Sequence, residues 1–490
     1  MYSVAETRFN RGPQAINSLA NVRAPKTRET GAGHCSLSRA SLRALPNPVP
    51  DTGTPTHHSS QAYYVWYCPG SVLALWVMER YGLRVSLLWG FASQVVMATL
   101  SVIGCTMEPP HVAFFILWLG QVIGSFGQPL FLNNVTRVAG DWFPINERDM
   151  AVTISVVARS VGVMLISFVA PLVVQEPGQV GLLYYWQLPV WLIILGVAYW
   201  VVQDRPPQPP SASAAMQWKV REEAEAEPLP EGTGRNWRAL QIMWADSSAL
   251  LRHTNFMLLT ISFSLLTGLG WTFLTIVGQL LEPCGYSNLL AGIANAVFMG
   301  ANAIGCFAAA PVVETTRAYL TLQRAFSWGT FLMCIVVLGT AKPGNPAAVL
   351  GAWAALGFTM GPLTPISFEH AVEMTYPIPP NSSNTILNMV SNLVGFFQTV
   401  GITPLLTFPV SAQCLSVLTP AAAYMMFTAA LGLGAAMFIW KDYRRQKAEG
   451  VVAGDPWMDE AGYSAKVKPG ALPADSSAPP EANASTPLLQ

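Results

Sequence analysis

Trp76-Val-Met-Glu-Arg-Tyr-Gly-Leu-Arg84 follows the first long apolar run of the chain, and Pro311-Val-Val-Glu-Thr-Thr-Arg317 follows the seventh. Each is a short segment carrying an acid and a base between stretches too apolar for a soluble domain. An acid–base pair in a short loop is common by chance, so neither segment is informative alone. What matters is where the two fall in the order of apolar runs.

A helix needs about 20 apolar residues to cross a bilayer. Runs of that kind cover roughly 61–78, 83–106, 112–138, 150–174 and 181–202, then 255–281, 286–311, 318–340, 346–370, 381–408 and 419–440. The 490 residues are 52% hydrophobic and only 11% charged, whereas soluble domains carry about 25% charged residues. Eleven such runs predict an all-α membrane protein embedded in a lipid bilayer. Residues 1–60 are polar and read as a disordered segment. They contain no apolar core of a signal peptide before about Gln61, and their Arg- and Ser-rich, acid-poor composition resembles a transit peptide. Residues 203–254 open with Arg205-Pro-Pro-Gln-Pro-Pro and continue through Glu222-Glu-Ala-Glu-Ala-Glu. That composition cannot bury a core, so a flexible cytosolic linker is expected there. Residues 441–490 read as a disordered cytosolic tail.

Composition also excludes function classes. The net charge is zero, which argues against nucleic acid as a partner. The seven Cys lack metal-ligand spacing, and Cys105, Cys284, Cys306 and Cys334, in or beside apolar runs, read as small packing residues. No phosphate-cradling Gly loop, nucleotide motif or metal cluster is present, so no cofactor is expected and any transport would draw on gradients.

Lys and Arg set the orientation. Arg80 and Arg84, Arg137 and Arg148, six basic residues of the linker, Arg317 and Arg324, and the Lys441–Lys447 cluster all fall on one side, while the alternate loops contain only Lys342. The basic side is cytosolic. Eleven crossings leave the N-terminus outside; a further helix before residue 61 would return both termini to the cytosol. The two acid–base loops then follow the second and eighth of twelve helices, equivalent places in a six-plus-six repeat. The expectation is therefore that a first helix is absent, either truly or through a truncated gene model.

The major facilitator superfamily carries its acidic/basic loop signature at those places and is built as two repeated halves around a midplane site. The chain resembles it. The resemblance implies residues 61–202 as an N-terminal bundle (helices 2–6) and 255–440 as a C-terminal bundle (helices 7–12). Within that superfamily, Gly361-Pro-Leu-Thr-Pro-Ile-Ser-Phe-Glu-His-Ala-Val-Glu-Met-Thr-Tyr-Pro377 is similar to a run in the feline leukemia virus subgroup C receptor-related transporters and their relative, disrupted in renal carcinoma. Gly120-Gln121, Asp141-Trp-Phe-Pro-Ile-Asn-Glu-Arg148 and Glu79-Arg-Tyr-Gly-Leu-Arg84 resemble the same branch, over about residues 62–440.

Several residues carry candidate chemistry. Glu369 and Glu373, four apart, share a helix face at the cytosolic end of the tenth helix. They either gate or accept a proton there, or pair with Arg of neighbouring loops and hold the inner side closed. His370 beside them either tunes a pH response or sits at the interface. Glu79, Arg80, Arg84, Glu314 and Arg317 of the two loops are candidate gate residues. Trp271, in Thr267-Gly-Leu-Gly-Trp-Thr272, follows two glycines that would loosen its helix, and its indole face suits an organic cation; the alternative is ordinary packing. In the resembling transporters an aromatic at this place lines the solute cavity. Gln128, mid-membrane, matches a cavity glutamine of that branch, whereas Asn392 stands where the branch has a second one. Both either touch the solute or bond between helices. Arg159 is a full charge well inside the fourth run, at a place where the compared relatives carry no Arg. It either binds an anionic group, neutralises one of the carboxylates, or snorkels to the cytosolic edge.

Asn381-Ser-Ser383 and Asn483-Ala-Ser485 are glycosylation sequons on the cytosolic side, expected to stay bare. Thr486-Pro-Leu-Leu489 resembles a sorting signal. The predicted protein is a monomeric carrier, not an enzyme, in the plasma membrane or a lysosomal or vacuolar membrane. By alternating access, alone or with a proton, it would move a small organic solute. The resemblance implies an amine or vitamin such as choline, ethanolamine or pyridoxine, or haem. The competing expectation is a receptor-like or degenerate carrier that does not transport.

Overall fold

Long helices that are apolar around most of their circumference need hydrocarbon on one side and protein on the other. The computed structural model shows this arrangement. It describes residues 55–448, apart from 108–109, 145, 175–178, most of 212–233 and 407–418. The segment before residue 55 lies outside the described residues, with the transit-peptide and absent-helix expectations that fall on it. So does the tail with Asn483 and the Leu488-Leu489 pair.

α1 (Pro55–Thr106) is two crossings joined at Gly82, whose φ of 87° is one that side chains resist. A Cβ there would also meet the Asp204 carboxylate. The apolar part of α1 begins at Tyr63. α2 (Pro110–Gly127), α3 (Pro129–Leu132) and α4 (Val135–Trp142) form one interrupted crossing. α5 (Arg148–Val173) and α6 (Val180–Val201) complete the first group. After α7 (Arg235–Arg252), the second group holds α8 (Thr254–Leu281), α9 (Asn288–Thr316) and α10 (Tyr319–Thr340). An interrupted pair, α11 (Pro346–Met360) and α12 (Leu363–Thr375), is followed by α13 (Pro380–Leu406), α14 (Pro420–Phe438) and the short α15 (Arg444–Ala448). Ten segments of the described residues are long and apolar enough to cross a bilayer, and the first, Tyr63–Thr106, has 44 residues and crosses twice. Eleven crossings thus stand where eleven apolar runs were read.

The groups meet along two lines. α5 lies along α9, and the first arm of α1 lies along α13, where the Cys68 thiol reaches the Met389 carbonyl. Counting the first arm as the second of twelve crossings makes these contacts second-with-eleventh and fifth-with-eighth. A shift by six places exchanges the two pairs, as a twofold repeat demands. α8 is the central helix of its group, 67% buried over its most apolar window, whereas α6 is 11% buried and faces lipid. Where α9 crosses α11, Gly305 and Gly357 lie against the backbone of Phe358 and Phe298, so the two helices touch main chain to main chain.

Two expectations are corrected here. Cys306 and Cys334 are buried packing residues, but Cys284 is disulfide-bonded. It sits just past the end of α8, remote from the basic loops. The polar segment 203–254 is not a flexible linker throughout. α7 folds because Ala239, Met243, Asp246 and Leu250 recur at helical spacing and are all buried, against α1, α8 and α13. Arg80 Nε donates to Asn236 Oδ1 (2.9 Å), and further back Trp218 Nε1 donates to Asp141 Oδ1 (3.1 Å).

Burial, and then the facing Glu79 carboxylate, pushes the Asp246 carboxyl up to about 8. An ordinary Asp titrates near 4, so between about pH 4 and 8 the folded chain holds a proton that the unfolded chain releases. Docking of α7 should therefore weaken as pH rises through that window, by up to about 1.4 kcal/mol per unit. Hydrogen exchange of α7, corrected for intrinsic rates, is expected to be faster at pH 8 than at pH 6. In Asp246→Asn the difference should vanish; if wild type shows none, the carboxyl is ionised in place.

Candidate functional site

Proline lacks the N–H that a helix needs and its ring clashes with the carbonyl four residues back. Pro129 and Pro362 accordingly break their crossings at Gly127-Gln128-Pro129 and Gly361-Pro362. Each is followed fifteen positions later by a second proline, Pro144 and Pro377, so the two breaks are equivalent points of the repeat. Paired Gly/Pro interruptions in corresponding crossings mark the solute site of many transporters. That pairing is legible in the sequence and was missed.

A broken helix in hydrocarbon must satisfy its freed groups from elsewhere in the protein. Asn134 Nδ2 donates to the Leu130 carbonyl (2.7 Å) and to Ser86 Oγ (3.0 Å). Tyr67 OH donates to Asn133 Oδ1 (2.9 Å), and Asn384 Nδ2 crosses from the second group to the Asn133 carbonyl (3.0 Å). Asn388 Nδ2 bonds back to Asn384 Oδ1 (3.0 Å), and Asn392 Nδ2 to the Asn388 carbonyl (2.8 Å). Asn384, Asn388 and Asn392 thus form a ladder along one face of α13. Sequence reasoning singled out its last member only. The signal for the others was their spacing of four.

The residues expected to face the solute are placed unequally. Arg159 and Trp271 meet: the guanidinium carbon lies 5.1 Å from the centre of the indole ring. Tyr63 and Tyr67 of α1 and Cys306 of α9 are within electrostatic reach of the same charge. Gln128 and Asn392 make no hydrogen bond to either, and Gln128 Oε1 is buried without a partner. The indole face read as a seat for an organic cation is therefore occupied by the protein's own cation. Nor do Gly268 and Gly270 loosen the helix. α8 runs unbroken, and these glycines admit Gly395 and Met360 into close contact.

Arg159 also departs from the two structural alternatives. Eleven residues into α5, it is about 16 Å from the helix start, and it turns onto Trp271 rather than to the cytosolic edge. Among the described residues it has no carboxylate partner and no hydrogen bond, and its Nε is buried. A desolvated cation–π contact supplies about 2 kcal/mol. Placing Arg at the membrane centre costs about 2.5–3.5 kcal/mol on insertion scales and more in simulations. The contact alone leaves the charge under-compensated.

At the end that carries the basic loops, several buried charges of the described residues are paired. Arg445 Nε bonds Glu373 Oε1 (2.7 Å) and its Nη2 bonds Glu369, all three side chains being nearly fully buried. The carboxylates are therefore a structural clamp on α15. Tyr319 OH donates to both oxygens of Asp149 (3.1 Å), and Arg317 Nη2 donates to Asn146 Oδ1 (3.0 Å); both link the two groups. Arg137 pairs with Asp141 (2.8 Å) and Thr136 Oγ1 donates to the Pro380 carbonyl (3.2 Å). Glu314 makes no ion pair with Arg317; the latter turns to Asn146 from a left-handed backbone (φ 48°). Arg84 ties α1 to the end of α6 through the Tyr199 carbonyl (3.0 Å) and, by its N–H, Asp204 (2.9 Å). His370 is fully buried, both ring nitrogens lack partners, and its ring stacks on Tyr319 and meets Tyr443 edge-on. Asn381, read as a bare sequon, is buried.

A cavity of about 370 Å³ lies between α1 and α2 and is lined mostly by apolar groups such as Trp66, Leu73, Trp89 and Phe126. It offers little to orient a polar solute and excludes the Arg159–Trp271 pair.

The sequence model of the Major Facilitator Superfamily matches residues 59–399. Solute carrier family 49 member A3 of Danio rerio is 26% identical over 313 residues, 63% of this chain and 61% of that protein, so the match spans about three fifths of the relative. The choline/ethanolamine transporter FLVCR2 of Homo sapiens is 25% identical over 413 residues, covering 79% of this chain and 70% of its own length. Among solved structures, the proton:xylose symporter XylE superimposes with a TM-score of 0.58 at 15% identity, covering 91% of this chain and 94% of its own. The E. coli fucose:proton symporter does so with 0.57 at 11% identity, covering 78% and 90%. At those identities the likeness is one of fold.

Removing the cation from the clamp leaves two buried carboxylates uncompensated, a defect of about 3–5 kcal/mol. Arg445→Ala should therefore lower the melting temperature in detergent and open the inner end to cytosolic thiol reagents. Arg445→Lys should restore part of both; an Ala variant as stable as wild type would show the clamp to be ornamental.

Proposed function

Since the chain belongs to the major facilitator superfamily, we propose that this integral multi-pass transporter moves a small organic solute by alternating access between two rocking bundles. The bundles are residues 61–202 and 255–440, with 203–254 as the connection between them. The observation that carries this reading is that the two groups meet along their seam through a few separate polar bonds, Tyr64–Thr275 (3.3 Å) among them. Tyr319–Asp149, Arg317–Asn146 and Thr136–Pro380 close it at the cytosolic end. At membrane depth the breaks at Gln128 and Gly361 bring polar groups to its middle. Such contacts between two otherwise separate groups can be exchanged for others on the opposite side at small net cost, as a bistable carrier requires.

The solute would bind near Trp271 and Arg159, with Gln128 and Asn392 in adjoining crossings. Gln128 Oε1, orphaned in the protein, is available to accept a hydrogen bond from it. Glu369, Glu373 and Arg445 hold the inner end, and Glu79, Arg80 and Arg84 brace the first bundle against α6 and α7. Relatives named as choline/ethanolamine transporters make an amine-bearing solute the first class to test. The carrier would work as a monomer, since one chain contains both bundles.

Uptake into proteoliposomes of radiolabelled choline, ethanolamine, pyridoxine and their acidic counterparts should be saturable for at least one probe. A cleavable thiol crosslinker across Asn146→Cys and Arg317→Cys would lock the inner end shut. It is expected to abolish that uptake, with recovery after reduction. Full uptake by the crosslinked chain would mean that the seam does not open during transport.

A further inference from the structure

We infer that the solute carries an anionic group, a carboxylate or a phosphate, and that Arg159 is the residue that binds it. The inference rests on the carrier reading and sharpens it to a substrate class.

Arg159, half-buried, stands apart from the fully buried Arg137 and Arg445. Arg137 has Asp141, and Arg445 has Glu369 and Glu373. Arg159, among the described residues, has no acid and no hydrogen-bond acceptor, only the Trp271 ring at 5.1 Å. Its position is also the right one. The side chain starts on α5 of the first bundle and contacts Trp271 of the second, with Tyr63 and Tyr67 of α1 and Cys306 of α9 around it. That is the seam through which a solute must pass. A guanidinium offers five donors in a planar fork that matches carboxylate or phosphate oxygens two at a time. A partner arriving from solution would complete in the loaded carrier the pairing that the empty one lacks. A lipid phosphate is poorly placed for this, because headgroups lie about 15 Å from the midplane.

The same charge disfavours a bare cation. Two positive charges about 5 Å apart repel enough, at an effective dielectric near 20, to weaken binding by roughly a hundredfold. An amine can still be held if the molecule also carries the anion. An aromatic ring beside Arg159, such as Tyr63, then suits its ammonium end. A zwitterion therefore reconciles the aromatic surroundings with the arginine.

The test uses probes that differ only in the anion: choline against betaine and phosphocholine, and ethanolamine against β-alanine. They are measured by binding and uptake with the full chain in nanodiscs and proteoliposomes. At least one anionic member should bind at least tenfold tighter than its cationic counterpart. Arg159→Gln should weaken that member by about 10- to 100-fold while leaving or improving the bare cation. Arg159→Lys should retain part of the preference, and thermal melts of both variants report whether they fold. Choline or ethanolamine bound as tightly as the anionic probes, with no change in Arg159→Gln, overturns the inference and leaves the carrier reading standing. Equal losses for all probes in Arg159→Gln also overturn it, since Arg159 would then only clasp Trp271. No saturable uptake of any probe overturns both.

Discussion

The hydrogen bond from Asn384 to the Asn133 carbonyl (3.0 Å) states the constraint on which the rest of the molecule depends. In hydrocarbon no backbone group can turn to water, so a helix that breaks must be repaired by another part of the protein. Pro129 and the residues after it break a crossing of the first bundle, and the repair comes from the second. The break that makes room for a polar site and the bond that joins the two bundles are thus parts of one event. The asparagine ladder on α13 extends that bond along the seam.

Charge is managed differently along the membrane normal. At the cytosolic end acids and bases are buried together, and the Glu369–Arg445–Glu373 clamp anchors the chain after the last crossing. Near the midplane a single arginine is held by an aromatic face alone. A buried pair roughly balances its own desolvation, whereas an unpaired charge does not. The first kind of site resists change and the second is incomplete until something binds. The clamp keeps a shape; the arginine has only an aromatic face.

Much of this was legible beforehand. The number of long apolar crossings followed from apolar run length, because that is a property of single segments against a bilayer. Of the two alternatives for Glu369 and Glu373, the ion pair with an Arg is the one present, and the Arg is Arg445. Other readings failed where a neighbour decided the matter. Gly268 and Gly270 looked like a loosening of α8 and are contact points for Gly395 and Met360. The linker looked flexible because its charges dominate its composition, yet Ala239, Met243, Asp246 and Leu250 form a stripe that α1, α8 and α13 cover.

By itself the sequence determined that the chain lies in a membrane and where its helices break. These depend on hydropathy and the rigid geometry of proline, neither of which needs a partner. Only the tertiary structure decided that Arg159 lies on Trp271, that Asn384 mends the break near Asn133, and which Arg closes the inner end. Each of these is a meeting of residues more than sixty positions apart in the sequence. Spacing along one helix places a side chain on a face, but what that face meets is settled by how the crossings pack.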